Sequence, residues 1–278
     1  MSKRHDVHHF IPAFLLRQWQ NGPDDRLTAL AWKGGSVNAS RRKAKAVAKL
    51  TGLYTLRDVP EDEANIVEAK IFQRIDDEGA AAHAKLARGE SELSPREKDG
   101  WARFIVSLVT RSPWFLQRHV DAAPRALLEM IMKNPLEGMS PSLTLEKVLE
   151  VVPDLPRDMA LRGLVSMLPK SRTQDAIMGA PWTIADVSDS SRDLVIGDQP
   201  VLRSGDFDTD FLLALPLSPT KLFLMHSPDS SALSAFRRLG PRQLVERANR
   251  ESAHRAIEYV YATSDAHAAL ARRYLREP

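Results

Sequence analysis

The feature that most constrains this chain is a double change in the period of its apolar residues. From Glu61 to Met178 they recur at helical spacing, whereas before and after this stretch they alternate or form short runs. In the helical stretch, Ile66, Ile71, Ile75 and Ala82 mark one face of a helix predicted over Glu61–Arg88, with Gly89 as its cap. Ser94-Pro95-Arg96-Glu97 reads as N-cap, N1 proline and capping box, opening a helix to about Thr110. A further helix runs from Pro113 to about Lys133, and helical signals continue over 143–151 and 156–178.

Strands are predicted at Leu27–Trp32, paired with Ser36–Arg41 across Gly34-Gly35, and at Gly52–Leu56. More are predicted at Trp182–Val187, Leu194–Ile196, Phe211–Leu217 and Lys221–Met225, before helices over Pro241–Ala256 and Asp265–Tyr274. Such an order excludes alternating βαβ units and predicts an α+β fold. The expectation is one domain over 1–278, with a mixed or antiparallel sheet built from N- and C-terminal segments. Its parts are a strand and helix region (1–60), a mainly helical one (61–180) and a strand-rich, then helical one (181–278).

Composition narrows the chemistry. The 278 residues include no cysteine, so disulfides, thiolate zinc sites, iron–sulfur clusters and a cysteine nucleophile are excluded. The net charge of +3 hides an uneven layout. Residues 1–57 carry eleven Lys/Arg against three Asp/Glu, residues 58–99 six against twelve, and residues 234–278 nine against five. Basic ends favour an anionic partner such as nucleic acid or a nucleotide. Packing of the acidic stretch beside them would explain the layout equally. The polar start and the lack of a long apolar run predict a cytoplasmic protein with no membrane partner.

Several polar residues stand out. His5, His8 and His9 surround Asp6, and on a helix His5 and His8 would share a face and suit metal binding, phosphate binding or proton transfer. The alternative for His5 is a solvated tail. Asp198, in Ile196-Gly197-Asp198-Gln199-Pro200-Val201, reads as an exposed acid at a strand end or as a turn residue. Glu68 and Asp76, eight apart, lie roughly on one side of the acidic helix, either as a divalent-cation pair or as a solvated face. Arg111 before Ser112-Pro113 suits a phosphate, a helix cap or a pairing with Glu68. Asn249 suits a ligand or an adjoining loop. Arg41-Arg42-Lys43 with Lys45 and Lys49 reads as a phosphate-backbone patch or a solvated surface. Leu215-Pro216-Leu217-Ser218-Pro219 reads as a structural strand edge. There is no GxGxxG, Walker A or GxSxG motif. His8-His9-Phe10-Ile11-Pro12 starts like an HNH nuclease motif, but the next histidine, His83, falls inside the acidic helix.

In order, His8-His9-Phe10-Ile11-Pro12-Ala13-Phe14-Leu15-Leu16-Arg17-Gln18-Trp19, Gly52-Leu53-Tyr54-Thr55, Glu68 and Arg111-Ser112-Pro113 resemble one family. Gly197-Asp198-Gln199-Pro200, Leu215-Pro216-Leu217-Ser218-Pro219 and Asn249 continue the resemblance, which is to domain of unknown function 4238. The family usually has Ser where this chain has Gly197. The resemblance brings no activity. It implies that His8 or His9, Arg17, Glu68, Arg111, Asp198 and Asn249 are the family-pattern polar positions. A converging site and a buried ion-pair network would both look like this.

The function expected is a hydrolase or nuclease-like enzyme acting on a phosphate-containing substrate. His9 is its acid/base, Glu68 and Asp198 orient a water or a divalent metal, and His8, Arg17, Arg111 and Asn249 bind substrate. The alternatives are a non-catalytic nucleic-acid- or partner-binding protein and a small-ligand sensor.

Overall fold

Residues 6–133, 145–168, 172–206, 209–228 and 230–277 are described by the computed structural model. His5, residues 143–144 and residues 169–171 of the expected helices lie outside them. In chain order the first half runs β1 (Val7–His9), α1 (Ala13–Leu16), β2 (Leu27–Lys33), β3 (Ser36–Arg42), β4 (Lys49–Thr51), α2 (Gln73–Ala87) and α3 (Pro95–Thr110). Then come α4 (Pro113–Lys133), α5 (Leu145–Val151), α6 (Leu155–Met167) and α7 (Arg172–Gly179). The strand-rich part is β5 (Trp182–Asp186), β6 (Ile196–Gly197), β7 (Leu202–Gly205), β8 (Phe211–Ser218) and β9 (Lys221–His226). The chain closes with α8 (Ser231–Arg237), α9 (Pro241–Arg255), β10 (Val260–Ala262) and α10 (Ala268–Tyr274).

The fold is α+β, as the periodicities predict. The strands form three antiparallel sheets among the described residues, not one: β1-β4, β3-β2-β10-β6 and β5-β9-β8-β7. The second of these joins N- and C-terminal segments. Its β2–β3 hairpin turns at Gly34-Gly35, both at positive φ. The third sheet comes wholly from residues 182–226. All eight residues of β8 are buried, and alternate ones serve different clusters. Leu213, Leu215 and Leu217 join a core with Trp101 and Phe104, whereas Leu212 and Ala214 join one with Leu244 and Val245. Burial on both faces is why 211–217 reads as a continuous apolar run.

The capping box at Ser94–Glu97 is formed, and α3 packs on α2 at a close approach. A Cβ on Gly79 would lie 2.5 Å from the Phe104 ring, so any larger residue there would push the two helices apart. Gly197 marks a second close approach. A Cβ there would lie 2.6 Å from the Ser252 carbonyl oxygen of α9, so this position has room only for glycine.

Three expectations need correction. Val7–His9 is a strand paired with Lys49–Thr51, so successive side chains point to opposite sides and no helical face forms at His8. Gly52–Leu56 is a turn, with Thr55 N–H donating to the Gly52 carbonyl; its buried Leu53, Tyr54 and Leu56 imitate a strand. The acidic helix starts near Ile66, because residues 61–65 turn back and Leu56 N–H donates to the Ala64 carbonyl. It then passes through a π-helical turn, Glu68–Phe72, before α2.

Candidate functional site

Four segments converge on one buried polar cluster: β1, the turn after β4, the π turn before α2, and the C-terminal end of α3. Pairing of β1 with β4 turns His8 inward, where it is 1% exposed. Its Nδ1 accepts from Tyr54 N–H at 2.9 Å, and its ring stacks on the Tyr54 ring at 5.4 Å. The Tyr54 hydroxyl donates to the Arg111 carbonyl at 2.6 Å, tying the turn to the end of α3. An unpaired helix-end carbonyl is thereby satisfied.

Arg111 is the C-cap residue of α3 and is fully buried. Its Nη1 donates to Asp76 at 2.7 Å, and its guanidinium lies 5.7 Å from the ring centres of both Phe72 and Phe104. The ion-pair partner is thus Asp76 of α2, not Glu68. Glu68 is held by the π turn, a rare geometry that recurs at functional sites. Its carboxyl feels Arg111, Asp76 and Asp6. His9, the next residue of β1, is partly buried, and its ring feels the charges of Arg111 and Asp76. Its Nε2 lies 3.2 Å from the Lys45 carbonyl oxygen, to which it donates.

The cluster is only half satisfied. Nine buried side-chain atoms among the described residues lack a hydrogen-bond partner in the protein. Four sit here: His8 Nε2, Glu68 Oε2, and Arg111 Nε and Nη2. Buried polar atoms are otherwise almost always paired, so this concentration calls for a specific explanation. Nε and Nη2 form the side-on edge of the guanidinium, which takes two oxygens of one carboxylate or phosphate.

Burial pushes the Glu68 carboxyl up to about 7, with Asp76 and Asp6 adding to the rise and Arg111 opposing it. Burial raises Asp76 too, and the Arg111 guanidinium pulls it back. Both His8 and His9 are held below the usual histidine range, chiefly by burial. A carboxyl poised near neutrality beside a neutral imidazole can serve acid and base roles at once.

The remaining expected residues lie in other networks. Arg17 is exposed on a 3-10 turn after α1 and takes no part in the cluster's hydrogen bonds or ion pairs. Asp198 is no exposed acid but fully buried. Its carboxylate accepts from the backbone N–H groups of Ile257, Glu258 and Tyr259 at 2.7–2.9 Å. Burial raises this carboxyl to about 6, against the pull of those three donors. Asn249 accepts from Val195 N–H and donates to the Asp193 carbonyl, each at 2.8 Å, fastening a loop to α9. Glu68 and Asp198 thus lie in different networks, the first among Arg111, Asp76 and Asp6 and the second against the backbone of residues 257–259. His83 lies 2.9 Å from the Leu217 carbonyl oxygen, inside the core. Arg41 is tied to Asn21 and Asp24, so it belongs to a turn and not to an open patch.

Tyr54 is the cluster residue that receives no candidate role from the sequence, whereas Asp76, expected beside Glu68 as a cation pair or a solvated face, pairs with Arg111. Tyr54 stands in the Gly52–Thr55 motif, which is the only advance signal it gives. No helix among the described residues is long and apolar enough to cross a membrane. The sequence pattern of a family described as a protein of unknown function (DUF4238) matches residues 7–266. No curated protein and no solved structure matches the chain.

Proposed function

We propose that this chain, which belongs to the DUF4238 family of proteins of unknown function, is a hydrolase acting on a phosphate-containing substrate, a nucleotide or a nucleic acid. The observation that carries this reading is the free side-on edge of buried Arg111 beside the unpartnered oxygen of Glu68. Arg111 holds two phosphoryl oxygens, and its charge is kept in place by Asp76 on the opposite side.

Proton bookkeeping follows from the two shifted groups. Neutral His9 spends its Nε2–H on the Lys45 carbonyl, which leaves Nδ1 to take a proton from the attacking water. The hydroxide oxygen bonds to phosphorus and the phosphorus–oxygen bond to the leaving alcohol breaks. Protonated Glu68 gives its proton to that leaving oxygen, so one water is added in all. His8, locked by Tyr54, shapes the floor and is a positioning residue.

The test is incubation of purified protein with end-labelled single-stranded RNA, tRNA and DNA and with nucleotides, with and without Mg²⁺ or Mn²⁺. Glu68→Gln and His9→Ala run beside the wild type. Cleavage by wild type that both folded variants lose supports the proposal. Intact substrates in every lane overturn it for these substrates and favour the second reading, an oxyanion sensor. That reading rests on the same free Arg111 edge and predicts a rise in Tm with inorganic phosphate but no turnover.

A further inference from the structure

A separate cavity of about 1020 Å³ lies on the other side of α3. Phe104 and Arg111 face α2, whereas Ile105 and Val109 face this cavity. Its walls come from α3, the start of α4, residues 199–203, the end of α9 and the C-terminal residues Arg276 and Glu277. The volume stands at the upper end of the range of ligand pockets.

Three observations define what fits it. The floor is mostly aliphatic, with Ile105, Val109, Val201, Leu213 and Ile257. Val109 is 40% and Ile257 37% exposed, so apolar surface stands open to a ligand. The two aromatic wall residues are already engaged. Trp114 meets Phe10 edge-on at 5.7 Å, and Phe115 packs on His119 at 4.3 Å, so each ring already has an aromatic neighbour.

The charged lining is one-sided. Arg118, Arg203, Arg255 and Arg276 line the cavity against the single carboxylate Glu277. Arg255 is anchored, donating to the Arg203 carbonyl and lying 3.7 Å from Glu251. Arg118 and Arg276 are exposed at the rim. Gln199 adds a buried Nε2 with no hydrogen-bond partner in the protein, a donor that an anionic head would satisfy.

We propose that this cavity binds an amphipathic anion, an unbranched alkyl chain ending in a carboxylate or phosphate. The chain lies on Ile105, Val109 and Leu213, and the head meets Gln199 and the arginine rim. This site does not depend on the Arg111 cluster or on the hydrolase reading.

Calorimetric titration with decanoate and decyl phosphate tests it, with decanol and acetate as controls. Both decyl anions are expected to bind with Kd on the order of micromolar, and the two controls at least about tenfold more weakly. Val109→Asp, at an exposed position, is expected to weaken both anions about tenfold or more. Arg118→Glu weakens the anions but not decanol. Glu68→Gln leaves the decanoate affinity unchanged, which separates this site from the cluster. Failure of both decyl anions to bind folded wild type overturns the proposal. So does binding that neither Val109→Asp nor Arg118→Glu diminishes.

Discussion

Two buried polar networks in this molecule look alike in sequence and differ in how completely they are satisfied. The side chains of Asp198 and Asn249 are themselves fully paired with backbone groups: three N–H groups on Asp198, and an N–H and a carbonyl on Asn249. Around Arg111 and Glu68, four buried atoms have none in the protein. The closed network joins β6 and the loop before it to α9 and the approach to β10. It reads as a fastener for the sheet of N- and C-terminal strands. The open one carries a bound charge pair with one edge left over. Full satisfaction rigidifies, whereas half-satisfaction costs stability unless a ligand completes it. The comparison separates structure from site where residue type alone cannot.

The largest effect should come from breaking the closed network. Asp198→Ala strips the shared acceptor from three backbone N–H groups and should cost about 3 kcal/mol in urea unfolding. A cost below about 1 kcal/mol would mean that the fastener is not one. Next in size is turnover. Glu68→Gln, which cannot protonate a leaving oxygen, should lower the hydrolytic rate at least about 100-fold, equal to about 2.7 kcal/mol. The wild-type rate should fall above about pH 7 as Glu68 loses its proton, and fall again in acid as His9 gains one. A smaller effect is expected for Arg111→Lys. It keeps the charge beside Asp76 but loses the side-on fork, and should weaken inorganic phosphate about tenfold in calorimetry. Unchanged affinity would place the oxyanion elsewhere.

Much of this was legible in the chain, for physical reasons that differ from element to element. The capping box at Ser94–Glu97 and the run Phe211–Leu217 announce themselves, because capping and two-sided burial act locally. β10 is three residues long and has no room for a period, and of the strand expected at Leu194–Ile196 only Ile196 falls in β6, which is two residues long and is set by its pairing with β10. β1 hides in the same way: Val7-His8-His9 shows no alternation until β4 pairs with it. At the candidate site, Glu68 and Arg111 were visible as polar residues in a pattern, and so were Asp198 and Asn249. Nothing in their spacing tells that Asp198 meets three backbone donors while Arg111 keeps two of its own nitrogens unpartnered. Satisfaction of a buried atom is a tertiary property. Asp76 illustrates this most plainly, since its partner Arg111 is 35 residues away.

The central claim is that Glu68 is kept in the cluster at a cost to the fold. Urea unfolding of Glu68→Gln beside wild type, from pH 4 to pH 8, tests it directly. The folded Glu68 carboxyl is raised to about 7 from an ordinary 4.5. Over that window the folded state therefore binds more protons than the unfolded chain, and wild-type stability drains as the pH rises through it. The account predicts nearly equal stability of the two proteins near pH 4. The variant should gain progressively, reaching an advantage of at most about 3 kcal/mol by pH 8. A variant less stable than wild type at pH 8 would contradict the account, because Glu68 would then be a partner the fold needs.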